Sequence, residues 1–256
     1  MIRTIDGGYV KSEFHNHITT IEFHHPQSNS LPGKILEQLA HAIHGAGNDE
    51  QTKLILLRSH GEKVFCAGAS FDELASIQTE AEGNRFFNGF AHVINAMRTC
   101  SKLIIGRIQG KCVGGGVGLA AACDYAIAHH QADVKLSELA VNIGPFVVGP
   151  AVERKIGNAA FMQLAIDASS WRSAEWAHKK GLFAEVHQSF EALDEAVERL
   201  ADSLVKASPD AMRELKQVFW QGTEHWNQLL PERAAISGSL VLSSYAKEAI
   251  ARFKKK

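Results

Sequence analysis

Gly110-Lys111-Cys112-Val113-Gly114-Gly115-Gly116-Val117-Gly118-Leu119-Ala120-Ala121-Ala122 is the stretch on which the reading of the fold turns. It follows the apolar run 103–108, which reads as a buried strand, and it leads into an alanine-rich helix. Three successive glycines therefore expose backbone amides at a helix N-terminus, where the macrodipole favours negative charge. A nucleotide-phosphate loop is the obvious rival, and the spacing fails it. There is no G-x-x-x-x-G-K-[ST], and no G-x-G-x-x-G follows the first strand. Close helix–strand packing is a sufficient reason for Gly118. It accounts poorly for three adjacent glycines, because each adds unfolded-state entropy that folding must overcome.

A second glycine-bearing turn lies upstream, Phe65-Cys66-Ala67-Gly68-Ala69-Ser70-Phe71, after a buried strand at 53–59 and before the helical start Asp72-Glu73-Leu74. Taken alone it is a tight strand–helix turn. Taken with the first, it supplies a second backbone amide that can converge on one oxygen. Such a pair stabilises a developing oxyanion, and losing one donor typically costs about 3–4 kcal/mol of transition-state stabilisation.

Outward from these turns, the first part of the chain alternates strand and helix signals. Residues 17–23 are β-branched and end at His25-Pro26-Gln27-Ser28-Asn29. Leu36, Leu39, Ala40 and Ile43 recur at helical spacing after Pro32-Gly33, and Phe86, Phe87, Phe90, Val93, Ile94 and Met97 trace another helical face. From Ala159 the pattern is almost wholly helical, with helices expected at 190–206, 209–220, 229–244 and 246–255 and a short strand at 182–186. The alternation gives an α/β core over 1–170 and a helical C-terminal region over 171–256, with the shift near 167–173.

The 256 residues are 45% hydrophobic and 21% charged, an ordinary globular balance, and the net charge of -1 offers no field for nucleic acid or membrane. No apolar run approaches the roughly 20 residues needed to span a bilayer. The first residues carry neither a signal-peptide core nor a transit-peptide composition. Cys66, Cys100, Cys112 and Cys123 sit in or beside apolar segments without C-x-x-C spacing, so buried free thiols and a cytoplasmic location are expected. No metal is expected. His24-His25 and His129-His130 are adjacent pairs that point apart on a strand, and there is no H-E-x-x-H. His15, His17, His60 and His92 stay open as neighbours of an active site.

At this point the chain resembles the crotonase family, the enoyl-CoA hydratase/isomerase superfamily, along nearly its whole length. His25-Pro26-Gln27-Ser28-Asn29-Ser30-Leu31 is similar to that family's early P-x-x-x-N-x-L segment, with His25 at the place of the first proline. Phe65-Cys66-Ala67-Gly68-Ala69 matches its F-x-A-G-A turn, and Gly114-Gly115-Gly116 its G-G-G turn. Cys123-Asp124, Ser173-Ala174 with Gly181-Leu182, Ser208-Pro209 and Lys216 follow in the family's order. The resemblance implies a crotonase-like spiral of repeated β-β-α units with a helical C-terminal region that assembles trimers or dimers of trimers. It implies that Ala69 and Gly115 donate to a thioester carbonyl. It also implies that Ser28, Asn29, Ala67, Gly68 and Lys256 lie along coenzyme A, which enters as part of an acyl-CoA substrate and not as a separate cofactor. Phe71, Val113, Gly114, Gly118, Phe146 and Val147 are expected in the acyl pocket, which Phe146, Val147 and Val148 are expected to narrow.

The acid–base residues are the point of departure from the family. Many family hydratases use two glutamates; the first position here is Gly118, and the second matches Glu138. Hydration naturally divides its proton transfers between two carboxylates, whereas moving a double bond from the 3- to the 2-position needs one. The reading therefore favours a Δ3–Δ2 enoyl-CoA isomerase with Glu138 as the proton shuttle. A hydratase, an acyl-CoA decarboxylase and a non-catalytic acyl-CoA-binding protein are the alternatives.

Overall fold

The structure, a computed structural model, describes residues 7–253. Strand β1 (Tyr9–His15) pairs antiparallel with β2 (Ile18–His24), turning through Asn16 and His17, both at positive φ. Helix α1 (Gly33–Asn48) then buries Ile35, Leu36, Leu39, Ala40 and Ile43, the stripe its spacing predicts.

Three β-β-α units follow, each sending one strand to a large sheet and the next to a small one. The first is β3 (Leu54–Ser59), β4 (Val64–Cys66), then α2 (Phe71–Ser76) and α3 (Glu80–Thr99). The second is β5 (Leu103–Ile108), β6 (Lys111–Val113) and α4 (Gly115–Ala122). The third is β7 (Tyr125–His129), β8 (Val134–Lys135) and α5 (Gly149–Ile166). The small sheet has the order β4-β6-β8, all parallel.

Residues from 171 onward contribute α6 (Ala174–Lys179), β9 (Glu185–His187), α7 (Phe190–Val205), α8 (Pro209–Phe219), α9 (Trp226–Leu240) and α10 (Ser244–Phe253). β9 closes the large sheet, whose order is β1-β2-β3-β5-β7-β9. The expected strand at 182–186 is thus displaced, because Gly181 at φ +87° turns the chain and Leu182 and Phe183 bury themselves before pairing begins. Trp226, Leu230, Ala234, Val241 and Ile250 join the same buried cluster as Phe23, Ile55 and Met97, so α9 and α10 share the main core, whereas Leu193, Val197 and Met212 of α7 and α8 pack in a second cluster with Leu54, Leu103, Ile105 and Ile127 of the large sheet. All four cysteines are free and buried. Among the described residues, no helix is long and apolar enough to cross a membrane.

Candidate active site

The first turn is held by the loop that precedes α1. The Ala67 N–H donates to the Ser28 carbonyl at 3.1 Å, and the Leu31 N–H donates to the Gly68 carbonyl at 2.7 Å. Asn29 braces that loop from within. Its Nδ2 donates to the carbonyls of His60 and Val64, while its Oδ1 receives the His25 N–H and faces His24 Nδ1. That uses the whole hydrogen-bonding capacity of the amide, so Asn29 shapes the loop and has nothing left for a ligand. Ser70 caps α2 by accepting the Glu73 N–H. Among the described residues, the Ala69 N–H between these bonded neighbours has no hydrogen-bond partner.

The second turn lies directly against the first. A Cβ built on Gly68, which has φ +84°, would stand 2.8 Å from the Val113 carbonyl oxygen and 3.2 Å from the Gly115 nitrogen. The Ala69 nitrogen is two bonds from the Gly68 Cα, so the amides of residues 69 and 115 are neighbours. The Gly115 N–H opens α4 and, among the described residues, it too is unpartnered.

Packing explains the three adjacent glycines better than the sequence reading allowed. A Cβ on Gly114 would stand 2.9 Å from Glu138 Oε1, one on Gly115 would lie 2.2 Å from Phe90 Cε1, and one on Gly116 would lie 2.3 Å from the Cys66 carbonyl oxygen. Each missing side chain leaves room for a different neighbour, and two of those neighbours belong to the site.

Glu138 reaches the turns from the third unit. The Gly114 N–H donates to Lys135 O at 2.8 Å, joining the second turn to the end of β8. Three residues later Glu138 opens a short 3-10 turn, Leu139–Val141, which Asn142 ends in the left-handed region. The residue is half-buried as a whole, but its Oε2 is cut off from solvent and has no hydrogen-bond partner. Burial pushes the carboxyl up to about 7, and a backbone hydrogen bond only partly offsets this.

A single pocket collects these groups. Its walls include Ala67, Gly68, Ala69, Phe71, Gly114, Gly115, Glu138, Phe146 and Val147, nine of the residues expected from the sequence. Gly118 and Val113 are not on its wall. A Cβ on Gly118 would meet Val148 Cγ1 at 2.6 Å, so Val148 fills the space in front of it and itself faces the pocket. Val113 ends β6 and presents its carbonyl to Gly68 instead. Ser28 is exposed outside the pocket and touches it only through its bond to Ala67. Lys256, with Lys254 and Lys255, lies outside the described residues.

The sequence reading missed Leu74, Ser137, Val141, Ile143 and Ser237 as wall residues, and it assigned Phe87 and Phe90 only to a helical face. No histidine lines the pocket; His24 and His60 pack instead around Tyr9. Among the described residues, no cluster of His, Cys, Asp or Glu could hold a metal ion.

Comparisons with known proteins show the family and the fold. The family model for enoyl-CoA hydratase/isomerase matches residues 13–256. The mitochondrial methylglutaconyl-CoA hydratase of Rattus norvegicus is 32% identical over 200 residues. That covers 77% of this chain and 63% of the rat protein, so the chain spans less than two thirds of that relative. A probable enoyl-CoA hydratase of Bacillus subtilis (strain 168) is 26% identical over 93% of each chain. The peroxisomal Delta(3,5)-Delta(2,4)-dienoyl-CoA isomerase of Arabidopsis thaliana is 28% identical, covering 87% of this chain and 84% of that one. The crystal structure of an enoyl-CoA hydratase from Bacillus halodurans has the same fold, with a TM-score of 0.87 at 23% identity, covering 95% of this chain and 99% of that one. With its β-β-α units, its paired turns and this match along nearly its full length, the chain belongs to the enoyl-CoA hydratase/isomerase family of acyl-CoA enzymes, on a crotonase fold.

Proposed function

We propose that this enzyme moves the double bond of a 3-enoyl-CoA thioester to the 2-position, with Glu138 as the single proton shuttle. The observation that carries the reading is that Glu138 is the only ionisable side chain among the described residues of the pocket wall. Its carboxylate removes a proton from the α-carbon. The thioester oxygen gains charge as the enolate forms, between the N–H groups of Ala69 and Gly115. The same carboxyl then returns the proton at the γ-carbon. A carboxyl with its pKa near 7 suits both halves of this cycle, since it is neither too weak a base nor too weak an acid.

Hydration asks for more than this pocket offers. Water must be held and deprotonated as a proton reaches the α-carbon, and where a second carboxylate would start, the wall presents Val148 in front of Gly118. Ser137 and Ser237 are the other polar side chains on the wall, and neither titrates in the useful range. The coenzyme A part is taken to run outward along Ala67 and Gly68. With the Ala67 N–H engaged by Ser28, Ala67 offers its carbonyl. The loop at Ser28 lies beside that path, and Lys256 is proposed to meet the phosphates.

The test uses the two substrates separately. With 3-enoyl-CoA, the conjugated enoyl absorbance should grow; with 2-enoyl-CoA, it should hold steady. Rapid loss of absorbance from 2-enoyl-CoA, with no isomerisation, would replace this reading by the hydratase reading that the names of the rat and Bacillus subtilis relatives favour.

A further inference from the structure

Of the two serines on the wall of the acyl pocket, Ser137 adjoins Glu138, whereas Ser237 lies on another helix among apolar residues. Ser237 is 1% exposed and lines the pocket beside Leu74, Phe87 and Phe90. Its position is fixed by its neighbour Gly238, whose Cβ, if present, would stand 2.7 Å from the Asn84 nitrogen. Helix α9 is thereby packed backbone to backbone against α3 at this point. The one hydrogen bond of Ser237 Oγ goes to the Arg233 carbonyl at 3.4 Å, long against the usual value of about 2.8 Å for a hydroxyl donor. No donor among the described residues reaches its lone pairs. A buried hydroxyl so poorly partnered among carbon atoms is unfavourable until something polar meets it.

The partner it fits is neutral. Among the described residues no cation lines the pocket, and Arg233, one turn earlier on the same helix, faces a separate cavity on the other side of Phe146. A carboxylate at the end of the acyl chain would be buried there without a counter-charge. We infer that Ser237 selects thioesters whose acyl group carries a neutral oxygen, a hydroxyl or a carbonyl, away from the thioester. This rests on the acyl-CoA reading of the pocket and narrows its substrate class.

Binding of saturated, unreactive thioesters tests it by calorimetry, independently of turnover. The probes are hexanoyl-CoA, its 6-hydroxy derivative, 4-oxo- and 5-oxohexanoyl-CoA and adipoyl-CoA, each against the intact protein and Ser237→Ala. At least one neutral oxygenated ester should bind about tenfold more tightly than hexanoyl-CoA. In Ser237→Ala that advantage should fall to about twofold or less, with hexanoyl-CoA bound at least as tightly as by the intact protein. Adipoyl-CoA should bind most weakly of the set. The inference is overturned if the preference survives in Ser237→Ala, if no oxygenated ester is preferred, or if adipoyl-CoA binds best. If no ester binds, hexanoyl-CoA included, the acyl-CoA reading of the pocket falls with it.

Discussion

The carboxylate of Glu138 lies over the Cα of Gly114, so close that a methyl group there would stand 2.9 Å from Oε1. The residue next to Gly114 supplies one of the two free amides. Proton shuttle and oxyanion donor are therefore fixed relative to each other by a backbone contact that no side chain can interrupt. Helix α4 and the loop after β8 are held in register at the same place by the Gly114 N–H to Lys135 O bond.

Glu138→Gln separates activity from stability. Isomerase turnover should fall by at least about 10²-fold, as for the loss of a general base. In the intact enzyme kcat/KM should rise with pH through about 7 and then level, because the ionised carboxylate is the base. Stability runs the other way. The folded-state pKa is raised to about 7 from an ordinary 4.5, so the folded protein holds the extra proton between these values. Stability is greatest below the lower value and declines as pH rises through the upper one, by up to ~3 kcal/mol. Glu138→Gln should therefore melt higher than the intact protein at pH 8, with the gap closing towards pH 5. Equal melting temperatures at pH 8 would show that the carboxyl is not held neutral by burial.

Gly115→Ala should place a methyl group in the ring of Phe90, 2.2 Å from Cε1. The clash has to be relieved by moving either the buried Phe90 or the amide of residue 115. Displacing one oxyanion donor lowers kcat by about 10²–10³-fold. Phe90→Leu alone should cost little activity, and the pair Gly115→Ala/Phe90→Leu should recover at least tenfold over Gly115→Ala. Additive losses in the double variant would separate the donor from the packing contact.

These contacts mark the limit of what the sequence discloses. The runs 53–59 and 103–108 are continuous and apolar, so β3 and β5 were readable almost to the residue. Strands β6 and β8, of three and two residues, are too short to show any period. Both turns were visible as glycine punctuation, but the reason for Gly115 is Phe90, which comes from another helix and has no local signature. Ser237 was invisible for a different cause. Helix α9 has little amphipathic contrast and an internal Pro231, so nothing in its pattern says which residue meets the pocket.

Gly118→Glu tests whether a missing carboxylate alone separates this site from a hydratase. The new side chain would start 2.6 Å from Val148 Cγ1 and 2.7 Å from its Cβ, atoms too near the backbone to swing aside. Overpacking of this kind should destabilise the fold by about 1–3 kcal/mol and add no hydration. In Gly118→Glu/Val148→Gly the space reopens, stability should return towards that of Val148→Gly alone, and loss of 2-enoyl-CoA absorbance should become measurable. Hydration by the single variant would show that Val148 is no barrier.

The buried ion pair of Asp124 and Lys216 should hold the far end of α4, away from the chemistry. Their side chains are 5% and 3% exposed, and Lys216 Nζ donates to Asp124 Oδ2 at 2.6 Å. The same oxygen accepts the Ile104 N–H at 2.7 Å, and Oδ1 accepts Trp220 Nε1 at 2.8 Å. One carboxylate thus ties β5, the end of α4 and α8 together. Lys216→Met would keep the two neutral donors and leave Lys155 and Arg154, both beyond ion-pair distance, to offset the Asp124 charge, and should cost up to about 3–5 kcal/mol in urea unfolding. Asp124→Asn/Lys216→Met removes both charges and should be more stable than Lys216→Met alone. Because Gly115 lies at the other end of the helix, kcat of the folded Lys216→Met enzyme should stay within about tenfold of the intact value. A loss as large as that from Gly115→Ala would mean that the pair sets the position of the oxyanion donor itself.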